Sequence, residues 1–205
     1  HGSQAMTIHP PLRPADDLIG RTRIVDVVDK GPKVGAILFS ERTVVRRGTD
    51  EPVCTLNMVT VCRGDGGFGG GKGTSMPKRQ APDRDPDMVE TLHTSPQAAL
   101  IYRLSGDPNP LHADPAVARA AGFERPILHG LATFGVAGHA LVRACCGYRG
   151  EGLKHMEVRF TAPVLPGETI ETAIWRDGDG AAHFRCRVPD RDTVVIDGGY
   201  AEFTG

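Results

Sequence analysis

Between Tyr102 and Asp114 the chain reads Tyr-Arg-Leu-Ser-Gly-Asp-Pro-Asn-Pro-Leu-His-Ala-Asp, its densest group of side chains able to do chemistry. Asp107 and His112 stand five residues apart in this run, with Pro108 and Pro110 between them. Two prolines so close together forbid a regular helix and fix the local path, so both side chains can be held toward one point. A carboxylate and an imidazole converging on one water can take a proton from it and give one back, which is general acid-base chemistry. The same residues also fit a plain polar turn, in which Asp107 and Asn109 satisfy nearby backbone groups and His112 is incidental. Spacing alone leaves both readings open.

The elements around this run must position it. Thr94-Ser95-Pro96-Gln97 predicts a helix start, with Ser95 at the N-cap and Pro96 at the first helical position. Asp114-Pro115 opens a second short helix, stopped by Gly122. Residues 130–146 are almost wholly apolar and too many for an ordinary strand, so a helix buried on most sides is expected. Gly135 and Gly138 inside it each cost about 1 kcal/mol relative to Ala, a cost expected to be offset by close approach of whatever wraps the helix. Gly130 falls at its N-terminus, where unpaired N–H groups and the helix dipole favour negative charge. Strand-like runs follow at 155–163, 168–176, 182–188 and 193–203, and turn chemistry at Pro166-Gly167 and Asp177-Gly178-Asp179-Gly180 predicts consecutive antiparallel pairing. A long apolar helix followed by an antiparallel meander predicts an α+β fold in which a sheet curls around one helix, the hotdog fold.

The first half is β-rich. Runs at 18–28, 35–47 and 53–62 are dominated by β-branched residues and separated by Gly31-Pro32-Lys33 and Gly48-Thr49-Asp50, as in an antiparallel meander. Residues 64–90 then become rich in glycine, proline and charge, and read as a linker ordered at its ends. The expected organisation is therefore 1–63, 64–90 and 91–205. Two motif-like strings in the linker fail on context. Gly64-Asp65-Gly66-Gly67-Phe68-Gly69 has the spacing of a dinucleotide fingerprint but no helix can follow it, and the P-loop-like string ending at Lys72 has Gly73 where a magnesium-binding hydroxyl belongs.

Composition narrows the classes further. The chain has 205 residues, 40% hydrophobic and 24% charged, with a net charge of -1, which gives no bulk attraction for nucleic acid or an anionic membrane. No apolar run approaches the ~20 residues of a membrane helix. Neither a signal peptide at residues 1–6 nor a targeting tripeptide at residues 203–205 is expected. Cys54, Cys62, Cys145, Cys146 and Cys186 contain no C-x-x-C pair, which predicts free thiols in a reducing compartment and no zinc site. No histidine pair has metal-ligand spacing.

The run from Tyr102 to Asp114, continued by Ala120-Ala121-Gly122-Phe123 and Pro126-Ile127-Leu128-His129-Gly130-Leu131, resembles the hydratase 2 motif of the MaoC-like (R)-specific 2-enoyl-CoA hydratases. The resemblance implies a double-hotdog protein. Residues 1–63 would be the remainder of a non-catalytic N-terminal repeat that accommodates the acyl tail, and 91–205 the catalytic repeat. It also implies reversible hydration of trans-2-enoyl-CoA to (R)-3-hydroxyacyl-CoA. Asp107 and His112 would be the catalytic pair, Asn109 would help hold substrate and water, and the Gly130 N–H would steady the thioester oxygen. His1, Gly2, Lys30 and Phe160 match substrate-contacting positions, with Lys30 a cation for the CoA moiety. No cofactor beyond the substrate's own CoA and no metal is implied.

The family's first repeat has a long helix and early strands that would precede His1. This predicts either further residues there or a second polypeptide that completes the repeat, in a homodimeric assembly without nucleic acid or membrane. The location expected is cytoplasmic in a bacterium, with a peroxisome as the eukaryotic counterpart. A thioesterase on the same fold and a non-catalytic acyl-binding or assembly subunit are the alternatives.

Overall fold

A computed structural model describes residues 1–70, 73 and 79–204. Lys72 of the P-loop-like string, Pro77 at the start of the proline-rich stretch and Gly205 lie outside the described residues. Nine strands form one sheet: β1 (Ser3–Ile8), β2 (Leu18–Asp29), β3 (Ala36–Arg46), β4 (Pro52–Cys62), β5 (Met88–His93), β6 (Leu153–Phe160), β7 (Thr169–Arg176), β8 (Ala181–Val188) and β9 (Thr193–Phe203). Their order is β2-β3-β4-β1-β6-β9-β8-β7-β5, and neighbours are antiparallel. The α-helices among the described residues are α1 (Ala98–Tyr102), α2 (Pro115–Ala120) and α3 (Gly130–Cys145).

β5, β7 and β6 all touch α3, so the C-terminal half is a sheet wrapped on one long helix, the expected hotdog fold. The N-terminal strands continue the same sheet across the β1–β6 seam, where Ser3 faces Arg159 and Thr7 faces His155. The result is a double-hotdog architecture whose N-terminal strands carry no long helix among the described residues. β1 was not singled out in the sequence, because its six residues alternate only weakly. The predicted meander at 18–62 is present, but β6 and β7 are not neighbours. Pro166-Gly167 carries the chain past the sheet, and β6 pairs with β9 and β1 instead. The strand lengths match on either side of that turn, so only the need to enclose α3 distinguishes the two pairings.

Helix α3 is buried along one stripe, not on most sides. Thr133, Phe134, Ala137, Ala140 and Leu141 are buried, whereas Leu131, Gly135, His139 and Arg143 are exposed. Phe134, Ala137 and Leu141 of this stripe share one core with Met156, Val158, Ile170, Ile174 and Phe184, and each such large side chain withdrawn from water contributes roughly 1.5–3 kcal/mol. Neither glycine of this helix is held by tight contact. A methyl group on Gly135 would meet nothing within 4 Å, and one on Gly138 would make ordinary contact with Met156 Sδ at 3.5 Å. The expected offset for their helix cost is therefore absent, and Gly135→Ala should stabilise the fold by about 1 kcal/mol. Urea denaturation checks this: an unchanged or lowered midpoint would contradict it.

Helix α1 begins later than predicted. Ser95 Oγ accepts from Gln97 N–H, and its carbonyl accepts from Ala98 N–H, making a turn before the helix, with Gln97 at the cap. At α2, Asp114 caps Ala116 N–H and Pro115 takes the first position, as predicted. All five cysteines are free, and burial pushes the Cys186 thiol up to about 12.

The described ends of the glycine- and proline-rich stretch are tied down by charge. Asp29 accepts from the N–H groups of Gly31, Gly67 and Gly69, and these donors hold its carboxyl below the usual range. Farther on, Arg79 bonds buried Glu157 at 2.6 Å and lies 3.9 Å over the Tyr200 ring, while the Arg84 carbonyl accepts from Trp175 Nε1. Polar groups with fixed partners hold these ends where apolar burial could not.

Candidate active site

The Tyr102–Asp114 run leaves α1 through a 3-10 turn that ends at Gly106, whose φ of 106° is a left-handed conformation suited to glycine. The chain thereby turns sharply just before Asp107. Asp107 Oδ1 accepts from Asn109 N–H at 3.3 Å, and Asn109 Oδ1 accepts from Leu111 N–H at 3.0 Å, capping the turn that carries His112. The plain turn reading is thus correct for part of each side chain, and it does not exclude the other. The remaining carboxylate oxygen of Asp107 and the amide NH2 of Asn109 have no partner among the described residues, and both residues line a cavity of about 430 Å3.

His112 is buried, and its Nδ1 lies 2.8 Å from the carbonyl oxygen of Ile127. A carbonyl only accepts, so Nδ1 carries the hydrogen and Nε2 keeps the basic lone pair. This bond also ties the motif to the chain approaching α3. Leu128 N–H donates to Val164 O at 2.7 Å in the same approach, fixing the next two residues. His129 caps α3, and Gly130 is its first residue. The Gly130 N–H has no partner among the described residues, as the start of a helix requires unless a ligand supplies one.

The sequence motif contains His129 but implies no role for it. This residue is 1% exposed, its Nε2 lies 3.2 Å from the Asp107 carbonyl, and its ring stacks on His112 at 3.7 Å. The Tyr102 ring covers it at 4.8 Å. His129 therefore joins the Asp107 loop, the His112 ring and the start of α3. Its Nδ1 is buried without a partner among the described residues. The available signal was its position directly before a glycine at a helix start, but a capping histidine looks the same in sequence.

One atom each of Asp107, His112 and His129 lie within 4.8 Å of one another. A single water can touch two groups up to roughly 5.6 Å apart, so this spacing fits a shared water. The trio also has the donor types of a metal site. The bonds of His112 Nδ1 and His129 Nε2 to carbonyl oxygens leave His112 Nε2 and His129 Nδ1 as the ring atoms open to a further partner.

Burial holds the His129 imidazole below its ordinary pKa, with His112 and Arg103 adding to the effect and Asp107 opposing it. The unfolded chain therefore takes up this proton first as pH falls. Stability associated with neutral His129 is present above about pH 6.5 and declines below it toward the lower, folded pKa. Between pH 7.5 and 5.5 the native chain should lose more melting temperature than His129→Gln. Equal losses would remove His129 as the titrating group.

Of the residues expected in the site, Asp107, Asn109, His112, Gly130, His1 and Phe160 line the cavity together. The His1 and Phe160 rings are 5.0 Å apart, and a Cβ built on Gly130 would meet both in ordinary contact. Gly2 and Lys30 are not brought there. Gly2 bridges strands, donating to Val59 O and accepting from Phe160 N–H, and Lys30 is exposed on the β2–β3 turn. Arg63, not foreseen, does line the cavity.

An aspartate–histidine pair thus shares one cavity of a hotdog sheet with a helix-terminal N–H that has no partner among the described residues. The family model for the MaoC-like domain matches residues 77–197, and this chain belongs to that family. It is 45% identical to 3-hydroxyacyl-thioester dehydratase Y of Mycobacterium tuberculosis over 213 residues, covering 99% of this chain and 72% of the relative. It is 36% identical to the peroxisomal enoyl-CoA hydratase 2 of Arabidopsis thaliana, covering 100% of this chain and 68% of the relative. The solved MaoC-like dehydratase of Phytophthora capsici superposes with a TM-score of 0.91 at 38% identity, over 100% of this chain and 71% of that one. Against the longer peroxisomal multifunctional relatives the chain spans 22% and 27% of their lengths.

Proposed function

We propose that the chain catalyses the reversible hydration of trans-2-enoyl-CoA to (R)-3-hydroxyacyl-CoA, with Asp107 and His112 as the acid-base pair. The observation that carries this reading is the meeting of the pair and the unpaired Gly130 N–H in one cavity. Membership in a family whose matched relatives are named hydratases and dehydratases supports the reaction class.

In the proposed step, the oxygen of one water bonds to the β-carbon while a proton of that water passes to the pair, with His112 Nε2 as the basic nitrogen. The electron pair of the C=C bond moves toward the thioester oxygen, where the Gly130 N–H meets the growing negative charge. That electron pair then bonds the α-carbon to a proton returned by the pair. One water has been added, and both residues end in their starting state. Asn109, its carbonyl committed to the cap, would offer its amide N–H to the substrate or the water. His1 and Phe160 would contact the acyl thioester beside Gly130.

Incubation of the protein with a panel of trans-2-enoyl-CoAs, followed by mass spectrometry and chiral separation, tests the proposal. A gain of one water with the (R)-alcohol is expected. Release of free CoA would mean a thioesterase, and tight binding without conversion would mean an acyl-binding subunit. No helix among the described residues is long and apolar enough to cross a membrane, and a reducing compartment suits the five free thiols. A homodimer is the expected assembly, and light scattering checks it.

A further inference from the structure

The proposed substrate carries phosphates, and the sequence pointed to Lys30 as their partner. Lys30 is away from the cavity. Of the lysines and arginines among the described residues, only Arg63 lines it. Arg63 follows the last residue of β4 and lies in the turn closed by Asp65 N–H on Cys62 O, so its side chain projects from a corner of the backbone. In the β1–β4 pairing Ser3 faces Val59, which places His1 level with Val61 and Arg63 two residues, roughly 7 Å, beyond. Arg63 therefore stands on the N-terminal side of the cavity, past the His1 ring that borders Gly130.

Its backbone has little freedom. Gly35 packs so closely on the strand end that a Cβ there would lie 2.1 Å from Cys62 O and 2.7 Å from Arg63 Cα. Gly35 also has a φ of 101°, which only glycine adopts without strain. Gly66 is pressed in the same way against the carbonyls of Gly31 and Gly35, and Asp29 holds the N–H groups of Gly67 and Gly69. The loop after Arg63 is thus pinned on both sides, which keeps the base of the Arg63 side chain in place. Meanwhile its guanidinium has no carboxylate or carbonyl partner among the described residues. An exposed, uncommitted, planar cation on a fixed backbone at the wall of a substrate cavity suits a phosphate, which accepts paired N–H bonds.

We infer that Arg63 is a substrate-binding residue that grips a phosphate of the thioester's carrier group. The inference rests on the proposed hydration of acyl-CoA. It assigns Arg63 to binding and not to the chemical step, since Asp107, His112 and Gly130 carry that step.

The test compares native protein, Arg63→Gln and Arg63→Lys on crotonyl-CoA and on crotonyl-N-acetylcysteamine, which has the same reacting atoms but no phosphate. For Arg63→Gln the KM for crotonyl-CoA should rise about fivefold at low salt with kcat nearly unchanged, the pattern of lost uniform binding. The rise should shrink at high salt and be partly restored in Arg63→Lys, and the phosphate-free substrate should show no change. An equal KM rise for both substrates would make Arg63 a packing residue and overturn the inference. So would an unchanged KM for crotonyl-CoA, or a collapse of kcat. Calorimetric titration with free CoA gives a readout independent of turnover. If the native protein binds CoA but hydrates neither substrate, the hydration proposal fails, and weakened CoA binding by Arg63→Gln would still support the phosphate grip.

Discussion

Asp107→Asn is expected to lower kcat for enoyl-CoA hydration at least ~100-fold, the usual contribution of a positioned acid-base group. The substitution keeps the size of the side chain and its ability to accept from Asn109 N–H, so the turn that carries it should persist. What it removes is the charge and the second proton-accepting oxygen facing the cavity. His112→Ala should cause a loss of the same order for a different reason. It deletes the basic nitrogen, whose orientation depends on the bond from Nδ1 to Ile127 O. Because His112 also stacks on His129, this variant should melt earlier than Asp107→Asn. Combining the two should cost little more than either alone, since residues that act as a unit are non-additive. Stopped assays of crotonyl-CoA, with circular dichroism on each variant, check the set. Near-normal turnover by a folded single variant would exclude the pair as the acid-base machinery.

Gly130 should give the second large effect. His129 has φ -60 and ψ 138, a conformation compatible with a following proline, and the first position of a helix tolerates proline. Gly130→Pro therefore removes the N–H while leaving α3 able to start. If that N–H meets the thioester oxygen, kcat should fall about 100- to 1000-fold, as for other single oxyanion donors. The proline ring also adds bulk to the cavity, so Gly130→Ala is the necessary comparison. Its methyl group would lie 3.6 Å from Phe160 and 3.7 Å from His1, ordinary contact that leaves the fold undisturbed. Alanine keeps the N–H, and its main effect should be on KM through the lost space. Equal kcat values for the two variants would mean that glycine is required for room alone.

Much of the C-terminal half follows from local rules. The apolar run at 130–146 is too long for a strand, and the turn residues after 153 divide the rest into strands. A sheet around a helix is what such elements can form while burying their apolar faces. The neighbour relations were less accessible. Local turn chemistry favoured a simple β6–β7 hairpin, yet closure around α3 places β9 and β1 beside β6. The burial of α3 was also overstated, because composition reports how apolar a helix is and not which of its faces finds a partner.

At the site, sequence by itself determined the residues of the Asp107–His112 run and the glycine at the helix start, because prolines, caps and glycine act over a few neighbours. It left the polar-turn and acid-base readings unresolved, since an aspartate can satisfy a backbone N–H and still present its other oxygen to a cavity. Only the tertiary structure decided which distant groups meet. It stacked His129 on His112, drew His1 from β1's end and Phe160 from β6's end to Gly130, and put Arg63 rather than Lys30 at the cavity wall. Lys30 and Arg63 are equally plausible cations as letters. They are separated by β3 and β4, and the strand order decides between them: β4, which ends just before Arg63, neighbours β1 and His1, whereas β2, which ends just before Lys30, lies two strands farther out.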